Sequence, residues 1–343
     1  MSDSILEVRN LTVEFATYGG IVKAVRGVSF DVERGQTLAI VGESGCGKSV
    51  TVQSIMGIIP MPPGRITAGS AKLNGKEILG LPAKEANRFR GVQIGMIFQD
   101  PMSSLNPTMR IGDQIAETLM VHRNVGFKAA FNKAIELLEK TRIPEAAKRA
   151  RQYPFEFSGG MLQRAMIAQS LACNPSILIA DEPSTALDVT IQAQILELIA
   201  DLQKTEHMSV ILITHDLAVV ARMATDVAVM YAGQIIESGT VDDIFYRSAH
   251  PYTLGLKQAM PSNRTDVEQH LRPIAGSPPD LFDPPVGCSY FSRCPWAMKM
   301  CEQNMPPEFP IATDSVHQAR CWLQHEEAPD TSELVQSGRR NAG

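Results

Sequence analysis

A short apolar run, Thr37-Leu-Ala-Ile-Val41, opens directly into Gly42-Glu-Ser-Gly-Cys-Gly-Lys-Ser49. Glycines at these offsets let the backbone turn tightly, so that successive N–H groups point inward at an anion. A helix beginning near Lys48 adds the positive end of its dipole. Read this way, Gly42, Glu43, Ser44, Gly45, Cys46, Gly47, Lys48 and Ser49 form a phosphate loop. Lys48 reaches the β- and γ-phosphates of a nucleoside triphosphate, and Ser49 ligates Mg²⁺.

A loop of this kind needs a carboxylate for the metal and a group that orients water. Ile177-Leu-Ile-Ala-Asp181-Glu182 offers both at the C-terminal edge of a buried-type strand, where α/β sheets bind ligands. Asp181 is placed at the metal and Glu182 as general base. Further strand patterns fall at Glu7–Phe15, Val28–Val32, Val92–Phe98 and Val210–Thr214, with a hairpin turn at Asn74-Gly75. Helical patterns fall at Ser49–Ile59, Ala129–Lys140, Met161–Ala172, Ile191–Lys204 and Leu217–Met223. The alternation predicts an α/β domain with a largely parallel sheet, interrupted by a helical insertion from about 101 to 165.

Composition shifts after Met260. Ten of the 22 prolines lie between Pro261 and Pro310, too dense for long helices or central strands. The expected organisation is an ATPase domain over 1–260, an irregular module over 261–325 and a disordered tail over 326–343. A net charge of −5 argues against a broad nucleic-acid surface. No apolar run approaches membrane-spanning length, and the acidic N-terminus is not a secretory signal, so a cytosolic location is expected.

Three further motifs narrow the class. Phe157-Ser-Gly-Gly160 precedes a helix and offers a second anion site, Gln99 ends a strand, and His215 ends another in Leu212-Ile-Thr-His215-Asp216. With the phosphate loop, Asp181-Glu182 and Ala186-Leu-Asp188, they stand in the order found in ATP-binding subunits of ABC transporters, which this sequence closely resembles over residues 5 to about 250. The resemblance implies a P-loop ATPase with a RecA-like core, a helical subdomain and an antiparallel β subdomain. Gln99 then belongs to the Q-loop and the Mg²⁺ shell, Asp188 to the D-loop, and Glu182, His215 and Gln99 to the catalytic set. Two cassettes would pair head to tail, Ser158, Gly159 and Gly160 of one meeting the γ-phosphate held by the other. Tyr18, with Phe15 as the neighbouring alternative, sits where the family stacks an aromatic on adenine. Phe157 and Met161 depart from the common Leu-Ser-Gly-Gly-Gln signature. Cys46 stands where serine is common and is read as filler, though a thiol beside lysine and phosphate could be reactive.

Phe98–Pro107, Tyr153–Gly160, His250-Pro-Tyr-Thr253, Ile274–Pro279, Gly287-Cys288 and Arg293-Cys294-Pro295 resemble the oligopeptide/dipeptide importer branch. That resemblance implies a sister ATPase, two membrane permeases, an extracytoplasmic binding protein and a peripheral place on the cytoplasmic face of the bacterial inner membrane. Cys288, Cys294, Cys301 and Cys321 form a four-thiol set in the C-terminal module. Resemblance favours a [4Fe–4S] cluster; zinc, with His317 and His325 nearby, and ordinary packing stay open. Disturbing the cysteines should leave ATP binding intact if the module is a separate domain. The competing readings are a soluble non-transport ABC ATPase and a metal-binding regulator that uses ATP as a switch. The transported solute is not legible.

Overall fold

The computed structural model describes residues 4–183, 188–259, 274–312 and 316–329. They form two compact units, one drawn from residues 1–5, 32–37 and 80–213, the other from 6–31, 38–79 and 214–343. The strands are β1 (Ser4–Thr17), β2 (Gly20–Glu33), β3 (Thr37–Val41), β4 (Gly64–Leu73), β5 (Lys76–Glu77), β6 (Ile94–Ile97), β7 (Ile177–Asp181), β8 (Ser209–Thr214), β9 (Asp226–Tyr231), β10 (Gln234–Thr240), β11 (Phe309–Pro310) and β12 (Gln318–Ala319). Residues 184–187, which include Ala186 and Leu187 of the D-loop motif, residues 260–273 at the start of the proline-rich segment, and 330–343 of the expected tail lie outside the described residues.

The first unit contains the parallel run β6–β7–β8, with Ile94 opposite Ile177 and Ile177 opposite Ser209. Every residue of these three strands is buried, which is why they read as continuous apolar runs with no alternation. Between β6 and β7 stand helices at Ile111–Arg123, Phe127–Lys140 and Gly159–Ser170, plus single turns at Pro101–Ser104 and Ala146–Arg149. This is the expected helical insertion. Gly112 is packed so closely that a Cβ there would lie 2.7 Å from the Ala150 carbonyl.

The second unit contains an antiparallel sheet, in which β1 pairs β4 and β4 pairs β5. Asn74 and Gly75 both have positive φ between Leu73 and Lys76, the geometry of the tight hairpin expected from that dipeptide. Here too β3 runs parallel to β9, while β10 returns antiparallel along β9 and then pairs β12, which pairs β11. At this end β10, β11 and β12 add antiparallel pairs to the parallel pairing of β3 with β9. β11 is the outermost of these strands, where Pro310 needs no ladder N–H, and β12 lies between β11 and β10.

Residues 274–329 share a unit with the phosphate loop instead of standing apart. Tyr231, Tyr252 and Tyr290 lie in one buried cluster with Val41, Val227 and Val229, and Cys288 and Cys294 pack against it.

Candidate nucleotide site

The phosphate loop leaves β3 at Gly42 and enters the Lys48–Ile55 helix. Two of its glycines are required by shape. A Cβ on Gly42 would lie 2.1 Å from the Met230 carbonyl, and one on Gly47 2.4 Å from the Ala24 carbonyl, both at positive φ. Lys48 is buried, and its Nζ donates to the carbonyls of Gly42 at 2.9 Å and Glu43 at 3.0 Å. A cation held against loop carbonyls, with backbone curled around it, is a cradle that fits phosphate chemistry. Burial pushes the Cys46 thiol up, against the lowering effect of Lys48. Cys46 is thus a packed side chain and not a reactive thiolate.

Sequence reasoning missed what holds this loop from behind. The Glu43 carboxylate takes a two-pronged ion pair from Arg293, Nη1 to Oε2 at 2.7 Å and Nη2 to Oε1 at 3.0 Å. The Arg293 side chain is only 3% exposed. Hydrogen bonding to Glu43 raises its pKa further. The Glu43 N–H donates to the Tyr252 hydroxyl at 2.9 Å. Both partners lie in motifs that the sequence marked for resemblance alone, His250-Pro-Tyr-Thr253 and Arg293-Cys294-Pro295. Pro278, Pro279 and Leu281 also flank Glu43–Cys46 in a small pocket.

In the first unit, Asp181 closes β7 and is buried. Glu182 follows with φ of 47°, a left-handed backbone that a non-glycine residue rarely adopts, and its N–H is held by the Ile213 carbonyl at 3.0 Å. Its carboxylate receives a hydrogen bond from Gln99 Nε2 at 3.2 Å. The structure thus brings together two of the three expected catalytic residues, and His215 stands directly after β8 and is exposed.

Ser158 caps the Gly159–Ser170 helix, its hydroxyl accepting from Met161 N at 3.4 Å. A Cβ on Gly160 would meet Ile191 Cγ2 at 2.9 Å, so glycine there admits the helix that follows the D-loop. Asp188 caps that helix by accepting from Ile191 N at 2.9 Å. Tyr18 is fully exposed in the β1–β2 turn, and Phe282 lies beside Gly19 and Gly20.

The four C-terminal cysteines share one neighbourhood. Cys288 N donates to the Cys301 carbonyl at 2.7 Å, and each of the other three thiols acts electrostatically on Cys321. Burial pushes Cys294 up to about 11 and raises Cys288 and Cys321 as well. Among the described residues, no group of three or more His, Cys, Asp or Glu is arranged to hold a metal ion. The expected [4Fe–4S] ligand set is therefore not formed in this geometry, although the donor chemistry is present. His317 is committed elsewhere, its Nε2 lying 2.8 Å from the buried Glu237 carboxylate, which removes it from a zinc set.

The loops and their supporting strands define an ABC transporter ATPase. The ABC transporter family matches residues 25–185, and the oligopeptide/dipeptide transporter C-terminal region matches residues 236–301. The chain is 55% identical to the oligopeptide transport ATP-binding protein OppD of Bacillus subtilis, over 95% of this chain and 90% of that one. It is 50% identical to OppD of Escherichia coli, over 90% of each. Among solved structures, the ATP-binding cassette MJ0796, in a dimeric post-hydrolysis state bound to ADP and phosphate, superposes with a TM-score of 0.62 at 25% identity, covering 69% of this chain and 98% of that one. The chain belongs to the family of ATP-binding proteins of oligopeptide and dipeptide ABC transporters.

Proposed function

We propose that the chain hydrolyses ATP to ADP and phosphate to power import of peptides, or of a related small solute, through membrane permeases. The observation that carries this reading is the phosphate loop, in which glycines 42 and 47 admit no side chain and a buried Lys48 is already held in place. The loop and Lys48 would hold the phosphates, and Ser49, Gln99 and Asp181 would hold Mg²⁺. When bound, that ion offsets the phosphate charge. Glu182 takes a proton from the attacking water as the water oxygen bonds to the γ-phosphorus and the bridge to ADP breaks. The hydrogen bond from Gln99 supports this role by orienting the carboxylate. His215 completes the catalytic set.

Ser158, Gly159 and Gly160 are assigned to the γ-phosphate held by a second cassette, Asp188 to the same interface, and Tyr18 to adenine. The exposure of Tyr18 favours that last role. The partners are a sister ATPase, two permeases and an extracytoplasmic binding protein. Among the described residues no helix is long and apolar enough to cross a membrane, which fits attachment to the inner membrane through the permeases. The finer reading of the four cysteines is a [4Fe–4S] site, supported by the nearness of Cys288, Cys294 and Cys301 to Cys321.

Lys48→Ala should abolish ATP binding, whereas Glu182→Gln, nearly isosteric but no base, should retain ATP and lower turnover by two orders of magnitude or more. Wild-type turnover in Glu182→Gln would assign the base elsewhere.

A further inference from the structure

The phosphate loop carries a carboxylate where it must receive a polyanion. Glu43 and Lys48 alone give the loop no net charge from side chains. The compensating cation comes from the far end of the chain, on a short 3₁₀ turn, Phe291–Arg293, that lies between Cys288 and Cys294. That turn is closed by Phe291 N to the Cys288 carbonyl at 3.0 Å and Cys294 N to the Phe291 carbonyl at 3.2 Å. Glu43 is not the only group that holds the guanidinium. Arg293 Nε donates to the Ala275 carbonyl at 2.9 Å and Nη2 to the Ile274 carbonyl at 3.2 Å, while Nη1 lies 3.3 Å from the Tyr231 hydroxyl. The Tyr231 and Tyr290 rings lie 5.8 and 5.9 Å from its Cζ. The fork is therefore held by Ala275 and Ile274 of the C-terminal segment and by Tyr231 of β9, as well as by Glu43. Glu43 is then held at three points: its carboxylate by Arg293, its N–H by Tyr252 and its carbonyl by Lys48 Nζ.

We propose that Arg293 is a positioning residue of the nucleotide site, which neutralises Glu43 and fixes the phosphate loop so that it can take a nucleoside triphosphate. Packing alone does not ask for this pair, since apolar residues of similar volume fill such a space as well or better. What an apolar filling could not supply is a fixed positive charge against the one anion in the loop. The inference rests on the loop being the ATP site, as proposed above.

The test is equilibrium binding of a fluorescent ATP analogue to the full-length chain, with steady-state ATP KM and kcat in the assembled transporter. Arg293→Gln should weaken binding roughly tenfold, the effect of one uncompensated charge about 12 Å from a unit anion at an effective dielectric of about 20. The loss should appear in KM more than in kcat. Adding Glu43→Gln removes the exposed carboxylate and should bring affinity back to within about twofold of wild type. A purely structural role would not be rescued this way. Unchanged affinity in Arg293→Gln, or a loss that Glu43→Gln leaves in place, overturns the proposal. Should the single variant fail to fold, the near-neutral double variant decides alone, and tenfold weaker binding there is a refutation. Lys48→Ala is measured alongside. If it binds like wild type, the phosphate-loop reading itself has failed; if it loses binding while Arg293→Gln does not, only the role of Arg293 has failed.

Discussion

His250 makes the second unit sensitive to mild acid. Its ring is completely buried and its pKa is lowered to about 3 by desolvation. The imidazole caps the Pro251–Gln258 helix, Nδ1 accepting from Tyr252 N at 3.1 Å. That acceptor role fixes the proton on Nε2, which finds no hydrogen-bond partner. Around it lie the Tyr290 ring and the Glu237 carboxylate, which accepts the His250 backbone N–H and pairs with His317. The folded state therefore prefers neutral His250, while the unfolded chain binds a proton at the ordinary pKa of about 6.5. Stability from this group is fully present above pH 6.5 and is lost as pH falls toward 3. Between pH 7.5 and 5.5 the loss is about 1.4 kcal/mol, and by pH 5 about 2 kcal/mol. Urea denaturation of wild type and His250→Asn at these pH values isolates the term, because carboxylates titrate alike in both and asparagine keeps an oxygen for the cap. Wild type should lose about 1.4 kcal/mol more than the variant between pH 7.5 and 5.5. Parallel pH profiles would refute the argument that the buried ring stays neutral.

Three further outcomes are expected. Gly47→Ala, whose methyl would meet a backbone carbonyl at 2.4 Å with φ of 102°, should lower stability by about 2 kcal/mol or more in thermal melts, since no flexible side chain can move aside. Ser158→Arg should remove a helix cap worth about 1 kcal/mol. In the assembled complex it should also depress hydrolysis at the partner's ATP while nucleotide still binds this chain's own loop, as competitive binding will report. Anaerobic purification should give iron and acid-labile sulfide in near-equal amounts if the four cysteines close around a cluster, and Cys301→Ser should then bleach the colour; protein without iron would leave them as packing residues.

Much of this site can be read locally. Gly42 to Ser49 follow from spacing, Asn74-Gly75 from turn chemistry, and Asp181-Glu182 from a polar pair ending an apolar run. Helix starts moved by one to two residues, to Lys48, Phe127, Gly159 and Val189, because caps and first turns carry no apolar period. The partner of Arg293 could not be read from its motif. Its partner lies 250 residues away, and a lone arginine in a proline-rich stretch has no periodicity to betray it. The same blindness hid the contacts by which residues 274–329 share a unit with the phosphate loop. Proline density agrees with the short elements among the described residues, but it did not show that the Arg293 side chain would be buried against Glu43 of the phosphate loop.

The separation between Glu43 and Arg293 also bears on synthesis. A ribosome releases the phosphate loop early, yet the arginine that neutralises it emerges 250 residues later. Contacts of such high sequence separation form late, after the local helices and hairpins. A nascent cassette would thus carry its glycine loop and Lys48 while still lacking the anchor for Glu43. The capacity to hold ATP would ripen only when the chain is nearly finished. Chains broken off before residue 293 would fold much of the cassette yet remain poor consumers of nucleotide.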